Sequence, residues 1–399
     1  MTPSPRKPIA LVLQTAGRLL MHWRVAAVKG DRKVLVQGFL SALALVAIVA
    51  LWLTHLQPLP VTSVLHPLAP VQAPLNFRNG AHSSVVTTDG NISTTVGTFP
   101  QYGASSLPGR LFQLENTRLR SQPGNKGKDS LLVMVVTKDA MSWGEERTAA
   151  DFFKLLDTFD YPKEKMSVTL LTSSMSEFDI VKTHFQQQIG RYSRLSVLFR
   201  NDFSPPQEVA TRENRHDNQV QADRRRVIAR YRNFAVLSTL EWWHEHVVWL
   251  DADVHKVSPG LLKKMTQSGR DIVEPMCVRM KVSGQDWYEY DLNAWVGRRK
   301  VRRSTQDSEF VPGDLSVSRM KQFHGGDDAF VPLDSVGGTM LYVNADVHRQ
   351  GIVFPVHHVI GSEWEREGYD GIETEGLCYI AHFLGFKCWG MPNDLIYHI

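Results

Sequence analysis

From about Leu131 onward the sequence predicts a doubly wound α/β domain, on three observations. Short apolar runs recur with helical stretches between them. The runs are continuous rather than alternating, as strands covered on both faces of a parallel sheet require. One of them, Val247-Val248-Trp249-Leu250, stops on Asp251-Ala252-Asp253, and strand tips are where open α/β sheets bind ligands.

Ahead of that domain the 399-residue chain, with a net charge of +4, divides by composition. Residues 1–34 carry Arg6, Lys7, Arg18, Arg24, Lys29, Arg32 and Lys33 against one acid, Asp31. Residues 35–53 are almost wholly apolar, about 19 residues and so about 28 Å of helix, close to one hydrocarbon core. Basic residues stay on the cytosolic side, which predicts a type II membrane protein with everything after Leu53 lumenal. A cleaved signal peptide needs small residues at its exit, whereas this segment leaves through Leu51-Trp52-Leu53-Thr54-His55-Leu56. An uncleaved signal-anchor is expected. Residues 54–130 read as a lumenal stem, with Pro58, Pro60, Pro67, Pro70 and Pro74 followed by Ser- and Thr-rich chain and no sustained apolar period. Asn91-Ile92-Ser93 is a glycosylation sequon that becomes usable if this segment is lumenal.

Within residues 131–399, strands are expected at Leu131–Val136, Val168–Leu171 and Leu195–Phe199, and helices at Ala149–Thr158 and Glu177–Gln188. Asp251-Ala252-Asp253 then falls at the tip of about the fourth strand. On an extended segment these two acids point to one side. Like-charge repulsion makes such a pair costly unless a cation or several donors offset it. A hard divalent ion that also holds a diphosphate is the usual offset.

A long helix, about Asn218 to Trp243, precedes the acids. It carries Arg224, Arg225, Arg226, Arg230 and Arg232 with Asn233. Arg226, Arg230 and Asn233 are spaced i, i+4, i+7 and share a face. A solvated basic face explains such a run, and so does a set of guanidinium forks turned toward a diphosphate. Nucleic-acid binding fits poorly, because the domain is not strongly basic and lacks an interleaved aromatic stripe. Further on, Asp334 leads through Ser335 and Val336 into Gly337-Gly338 and a strand from Met340 to Val343, where the glycines permit either close approach of a ligand or a plain tight turn. Glu373-Thr374-Glu375 opens a helix reaching Phe383, its acids complementing the helix dipole if nothing else.

Taken together, Val248-Trp249-Leu250-Asp251-Ala252-Asp253, Tyr290-Asp291-Leu292-Asn293-Ala294-Trp295, Asp334-Ser335-Val336-Gly337-Gly338, Ala345-Asp346-Val347-His348-Arg349, Glu373-Thr374-Glu375-Gly376 and Tyr397-His398-Ile399 resemble the fungal mannan-polymerase glycosyltransferases, family sixty-two. Arg232-Asn233 matches that family's helix motif. The resemblance implies a GT-A fold, a Golgi location, a GDP-mannose donor, Mn²⁺, α-1,6-linked mannose on N-glycan outer chains, and sister subunits in a hetero-oligomeric complex. By position, Asp253 and His398 would ligate the metal. Asp251, with Arg226, Arg230, Arg232 and Asn233, would hold the nucleotide sugar. Asp334 and Glu375 would orient the acceptor hydroxyl or the donor sugar. Ser335 stands where the family usually has glycine, and Lys138 where it often has proline. Three cysteines, Cys277, Cys378 and Cys388, allow at most one disulfide, with the last two nearest in sequence.

Two other functions compete with a transferase. A non-catalytic scaffold subunit of the same complex would keep the fold, but has no need of Asp251, Asp253 and His398. A phosphatase using the first acid as nucleophile would carry Thr or Val after the second acid on its first strand, and the acids here sit on a later one.

Overall fold

The structure is a computed structural model that describes residues 83–102, 107–203, 218–284, 286–297, 317–357, 359 and 371–399. All of them lie in one compact unit, Arg78–Ile399. The expected anchor at residues 35–53 and the first part of the expected stem lie outside the described residues. Among the described residues no helix is long and apolar enough to cross a membrane.

In chain order the first half comprises β1 (Ser83–Asp89), β2 (Ile92–Phe99), β3 (Gly109–Asn116), α1 (Thr117–Ser121), β4 (Leu131–Thr137), α2 (Ala149–Thr158), β5 (Met166–Thr172), α3 (Met175–Gln188), β6 (Arg194–Phe199) and α4 (Asn218–Thr239). The second half adds β7 (His246–Leu250), β8 (Val254–Lys256), α5 (Leu261–Thr266), β9 (Ile272–Met280), β10 (Trp287–Glu289), β11 (Trp295–Gly297), β12 (Val317–Arg319), β13 (Val331–Leu333), β14 (Met340–Asn344), α6 (Ala345–Arg349), α7 (Glu373–Phe383) and β15 (Cys388–His398).

A sheet of 13 strands runs in the order β1-β2-β3-β6-β5-β4-β7-β14-β9-β15-β13, with β10 on β9 and β8 on β15. Its centre, β6-β5-β4-β7, is parallel, as the continuous apolar runs predict. Each central strand divides its side chains between two cores. In β4, Leu131, Val133 and Val135 face a core with α2, α3 and α5, while Leu132 and Met134 face another with α4 and α7. The sheet is therefore a filled middle layer. It is mixed rather than all-parallel, because β14 runs antiparallel to both β7 and β9.

Two helices differ from their expected bounds for local reasons. The helix expected from Glu177 begins at Met175, because the Ser174 hydroxyl accepts the Glu177 N–H and caps it there. The helix expected to reach Trp243 ends at Thr239, where the His244 ring nitrogen takes the Glu241 N–H at 3.0 Å.

The larger correction concerns residues 83–116, read from sequence as stem. They form β1, β2 and β3, an antiparallel extension joined to the sheet edge where β3 pairs with β6. Phe112 and Leu114 point into the core at 4% and 3% exposure, and Arg194 of β6 meets Glu115 of β3 at 2.7 Å with its own side chain buried. The usual sequence signal is weak here because β1 is exposed throughout and β2 is mostly only half-buried. The usable clues are Ser, Thr and Val, which suit a pleated surface, and Asp89-Gly90-Asn91 at a two-residue hairpin loop with Gly90 at φ +56°. Asn91 sits exposed on that loop.

Candidate active site

Topology carries the two acids to their partner. β7 ends at Leu250 and the chain makes a tight turn, Val254 N–H donating to the Asp251 carbonyl at 3.3 Å, before β8 begins. The acids thus lie on a turn and not on an extended segment. β8 pairs antiparallel with the end of β15, Val254 beside His398. This places His398 Nε2 3.0 Å from Asp253 Oδ2, with the His398 side chain only 6% exposed. β15 reaches that point through a register shift between Met391 and Leu395, the stretch that holds Pro392. Proline cannot donate to a ladder, so a bulge is where a strand tolerates it.

His398 is held on several sides. Its Nδ1 lies 2.7 Å from the Ile399 main-chain oxygen, which turns the opposite ring nitrogen, Nε2, toward Asp253. The Tyr290 ring stacks on it at 3.8 Å between centroids, 24° from parallel. Gly144, at φ +96°, packs against Asp253 and Ile399, and a Cβ there would overlap the Ile399 side chain. Arg147 braces the turn from below, donating to the carbonyls of Ala252 (3.3 Å) and Val254 (3.2 Å). The cleft formed by Glu146, Arg147, Asp151, Lys154 and His255 contains neither acid of the turn.

Burial pushes the Asp251 carboxyl up to about 7, against the pull of Arg232 and with the like charge of Asp253 adding to it. That push operates although 41% of the Asp251 side chain stays open. Asp253 and His398 thus meet at 3.0 Å, with Asp251 beside them on the same turn. Oxygen ligands with one nitrogen are a donor set that suits Mn²⁺.

Behind the acids stands Arg232 of α4, 5% exposed. It pairs with Glu373 at the start of α7, donates to the Gly338 carbonyl at 3.0 Å and lies 3.3 Å from Asp251. A second buried arginine, Arg225, one helical heptad earlier, donates to Asn293 Oδ1 at 2.6 Å. Burial lowers its pKa against the field of Glu373, Glu375 and Asp291. Asp291 in turn accepts from Gly338 N (3.0 Å), Thr339 Oγ1 (3.0 Å), Asn293 N (3.1 Å) and Asn293 Nδ2 (2.7 Å). The glycine pair admits these groups and not a ligand: a Cβ on Gly337 would overlap the Asp291 carboxylate, and one on Gly338 the Arg232 guanidinium.

Of the residues singled out from sequence, the structure brings Asp251, Asp253, His398 and Arg232 together. Arg226 instead pairs with Asp223 at 2.6 Å, and Arg230 lies over the Phe203 ring at 4.3 Å. Arg226, Arg230 and Asn233 share a face as their spacing requires, while the buried arginines of the helix are Arg225 and Arg232. Asn233 clamps Phe354 through both amide atoms, at 2.7 and 2.9 Å. Asp334 accepts the Gly297 N–H at 2.7 Å, and Glu375, buried, accepts from Tyr379 at 2.7 Å. Arg225, Asp291, Glu373, Tyr290 and Gly144 received no role from sequence. The seven-residue step from Arg225 to Arg232 was the one usable signal. Cys378 and Cys388 form the disulfide, tying α7 to the start of β15.

Among the described residues, the three potential ligands whose donor atoms all lie within 4.8 Å of one another are instead Asp129, Glu245 and His246, at the opposite ends of β4 and β7. Lys165 pairs with Asp129 at 3.3 Å and the Tyr342 hydroxyl takes His246 Nδ1 at 2.9 Å, which accounts for the group as structure.

Comparison with known proteins adds the following. The mannan polymerase complex subunit mnn9 of Schizosaccharomyces pombe is 26% identical over 268 residues, 62% of this chain and 75% of the relative. The mannan polymerase complex subunit MNN9 of Candida albicans is 30% identical over 233 residues, 54% and 60% of the two chains. The mannan polymerase II complex ANP1 subunit of Saccharomyces cerevisiae is 24% identical over 308 residues, 70% and 58%. This chain thus spans about three-fifths to three-quarters of the length of these relatives. Among solved structures, a mannosyltransferase from Pyrobaculum calidifontis in complex with GDP-Man and Mn²⁺ aligns at 13% identity over 70% of this chain and 61% of that one, with a TM-score of 0.38. At that similarity it bears on neither fold nor site. The Anp1 family model matches residues 110–358, more than half of the chain and most of the sheet just described, and the chain belongs to the Anp1 family.

Proposed function

We propose that this chain is a metal-dependent mannosyltransferase that takes mannose from GDP-mannose, keeps the α configuration, and builds α-1,6-linked mannan outer chains on N-glycans. The reading includes a Golgi membrane location with the domain lumenal, and assembly with sister subunits like those its relatives are named for. The observation that carries it is the 3.0 Å approach of His398 Nε2 to Asp253 Oδ2 beside Asp251. A pure scaffold gains nothing from a histidine and a carboxylate held together beside a second carboxylate, whereas a metal-diphosphate site needs such groups. The strand order β6-β5-β4-β7-β14-β9, with the acids just past the end of β7, supports a GT-A assignment.

In this reading Asp253 and His398 would hold a Mn²⁺ ion, which would supply positive charge to the diphosphate leaving group. The chain's own residues supply position. Arg232 holds Asp251 at the mouth, while Tyr290 and the Ile399 main-chain oxygen keep Nε2 turned toward Asp253. The retained configuration is consistent with attack on the face the diphosphate leaves, since Asp334 and Glu375 are engaged with Gly297 and Tyr379.

The test is GDP-mannose affinity and mannose transfer by the purified chain, with and without Mn²⁺, in wild type, Asp253→Asn and His398→Ala. Both variants should lose Mn²⁺-dependent binding while keeping wild-type circular dichroism. Donor binding that ignores Mn²⁺ and both substitutions removes the transferase reading and leaves the scaffold.

A further inference from the structure

The two edges of the large sheet are built differently. β13 is three residues long and carries Pro332 at its centre, a short edge blunted in the ordinary way. β1 has seven residues, Ser83-Ser84-Val85-Val86-Thr87-Thr88-Asp89, every one exposed. It has no proline, no lysine or arginine, and no register shift against β2. Val85, Val86 and, on β2, Val96 are 64%, 61% and 50% exposed. Among the described residues nothing pairs with the outer side of β1.

The hairpin loop fixes what that outer side offers. With a two-residue loop closed by Asp89 and Ile92, the residues that bond β2 are Ser83, Val85, Thr87 and Asp89. The N–H and C=O groups of Ser84, Val86 and Thr88 therefore point outward, where they await another strand.

We propose that this edge pairs with β1 of a second copy of this chain, antiparallel about Val86, joining two sheets into one. In that register Val86 faces Val86, and Ser84 faces Thr88 on both sides, so every outward group finds a partner and each pair exchanges both hydrogen bonds. Asp89, the strand's only charge, falls opposite Ser83. A parallel arrangement would set Asp89 against Asp89 and is disfavoured. A two-fold contact of this kind is isologous and closes on itself, so it gives a dimer and not a fibre. The inference is independent of the transfer reaction and survives its failure.

The experiment uses the full chain in detergent. In an antiparallel hydrogen-bonded pair the Cα atoms lie about 5.5 Å apart, within reach of a disulfide. Val86→Cys should form a covalent dimer on oxidation, and Val96→Cys, one strand in, should not. Val86→Pro leaves the hairpin intact because the Val86 N–H points away from β2, and it removes two bonds per dimer. The dimer dissociation constant should rise about thirtyfold. Val86→Lys, at an exposed position, should weaken the dimer as well and covers the case in which the proline variant fails to fold. A monomeric wild type, a dimer indifferent to both substitutions, or cross-linking by Val96→Cys in place of Val86→Cys overturns the proposal.

Discussion

Replacing Arg232 by methionine removes the charge that joins α4, α7 and the acid turn, and the structure sets the size of the loss. The Arg232 and Glu373 side chains are 6% and 8% exposed, so the variant strands a buried carboxylate. Breaking such a pair costs about 3–5 kcal/mol. The contact with Asp251 contributes only about 0.5 kcal/mol, because that acid is 41% exposed and solvent screens the pair. The Gly338 carbonyl loses its 3.0 Å donor, about 1 kcal/mol more. Methionine keeps much of the packing over Phe354 and Trp249. The expected loss is about 4.5–6.5 kcal/mol, measured by urea unfolding at pH 7. Because the largest part is the abandoned Glu373 charge, Arg232→Met combined with Glu373→Gln should recover about 2 kcal/mol, a coupling typical of residues in contact. Two losses that simply add, or a single-variant loss below about 1 kcal/mol, would refute the account of Arg232 as the brace of this site.

Further outcomes follow from the same geometry. His348 lies buried, donating from Nδ1 to the Ile352 carbonyl and accepting the Trp249 indole N–H on Nε2, and burial lowers its pKa from 6.5 to about 4. Its folded pKa is depressed, so the unfolded chain binds the proton first and stability falls with pH between 6.5 and 4, at about 1.4 kcal/mol per unit and about 3 kcal/mol in all. Urea midpoints of His348→Gln should show a shallower acid slope than wild type, and parallel slopes would exclude His348 as the source. Gly144→Ala strains a backbone at φ +96° and drives a methyl into Ile399. It should cost about 1–3 kcal/mol and weaken Mn²⁺-dependent GDP-mannose binding with the Asp253 and His398 side chains intact. Unaltered metal dependence would show that the Ile399 contact does not set the His398 position.

The central sheet and the acid pair were legible because burial on both faces leaves continuous apolar runs, and those runs end where the acids stand. The start of the β1–β3 extension was hard to read, since β1 is exposed on both faces and has no apolar pattern to display. For the arginines, sequence supplied the helix and its periodicity but not its buried side. The side is set by which face meets the sheet and α7, and that contact selects Arg225 and Arg232 over Arg226 and Arg230. Likewise Gly337-Gly338 announces a close approach without naming the visitor, and only the folded chain shows Asp291 and Arg232 there. Local sequence determined strands, turns and the presence of two carboxylates. The meeting of Asp253 with His398 belongs to tertiary structure alone, because it requires β8 and β15 to pair across 145 residues of chain, 398 minus 253, and no local propensity encodes that register.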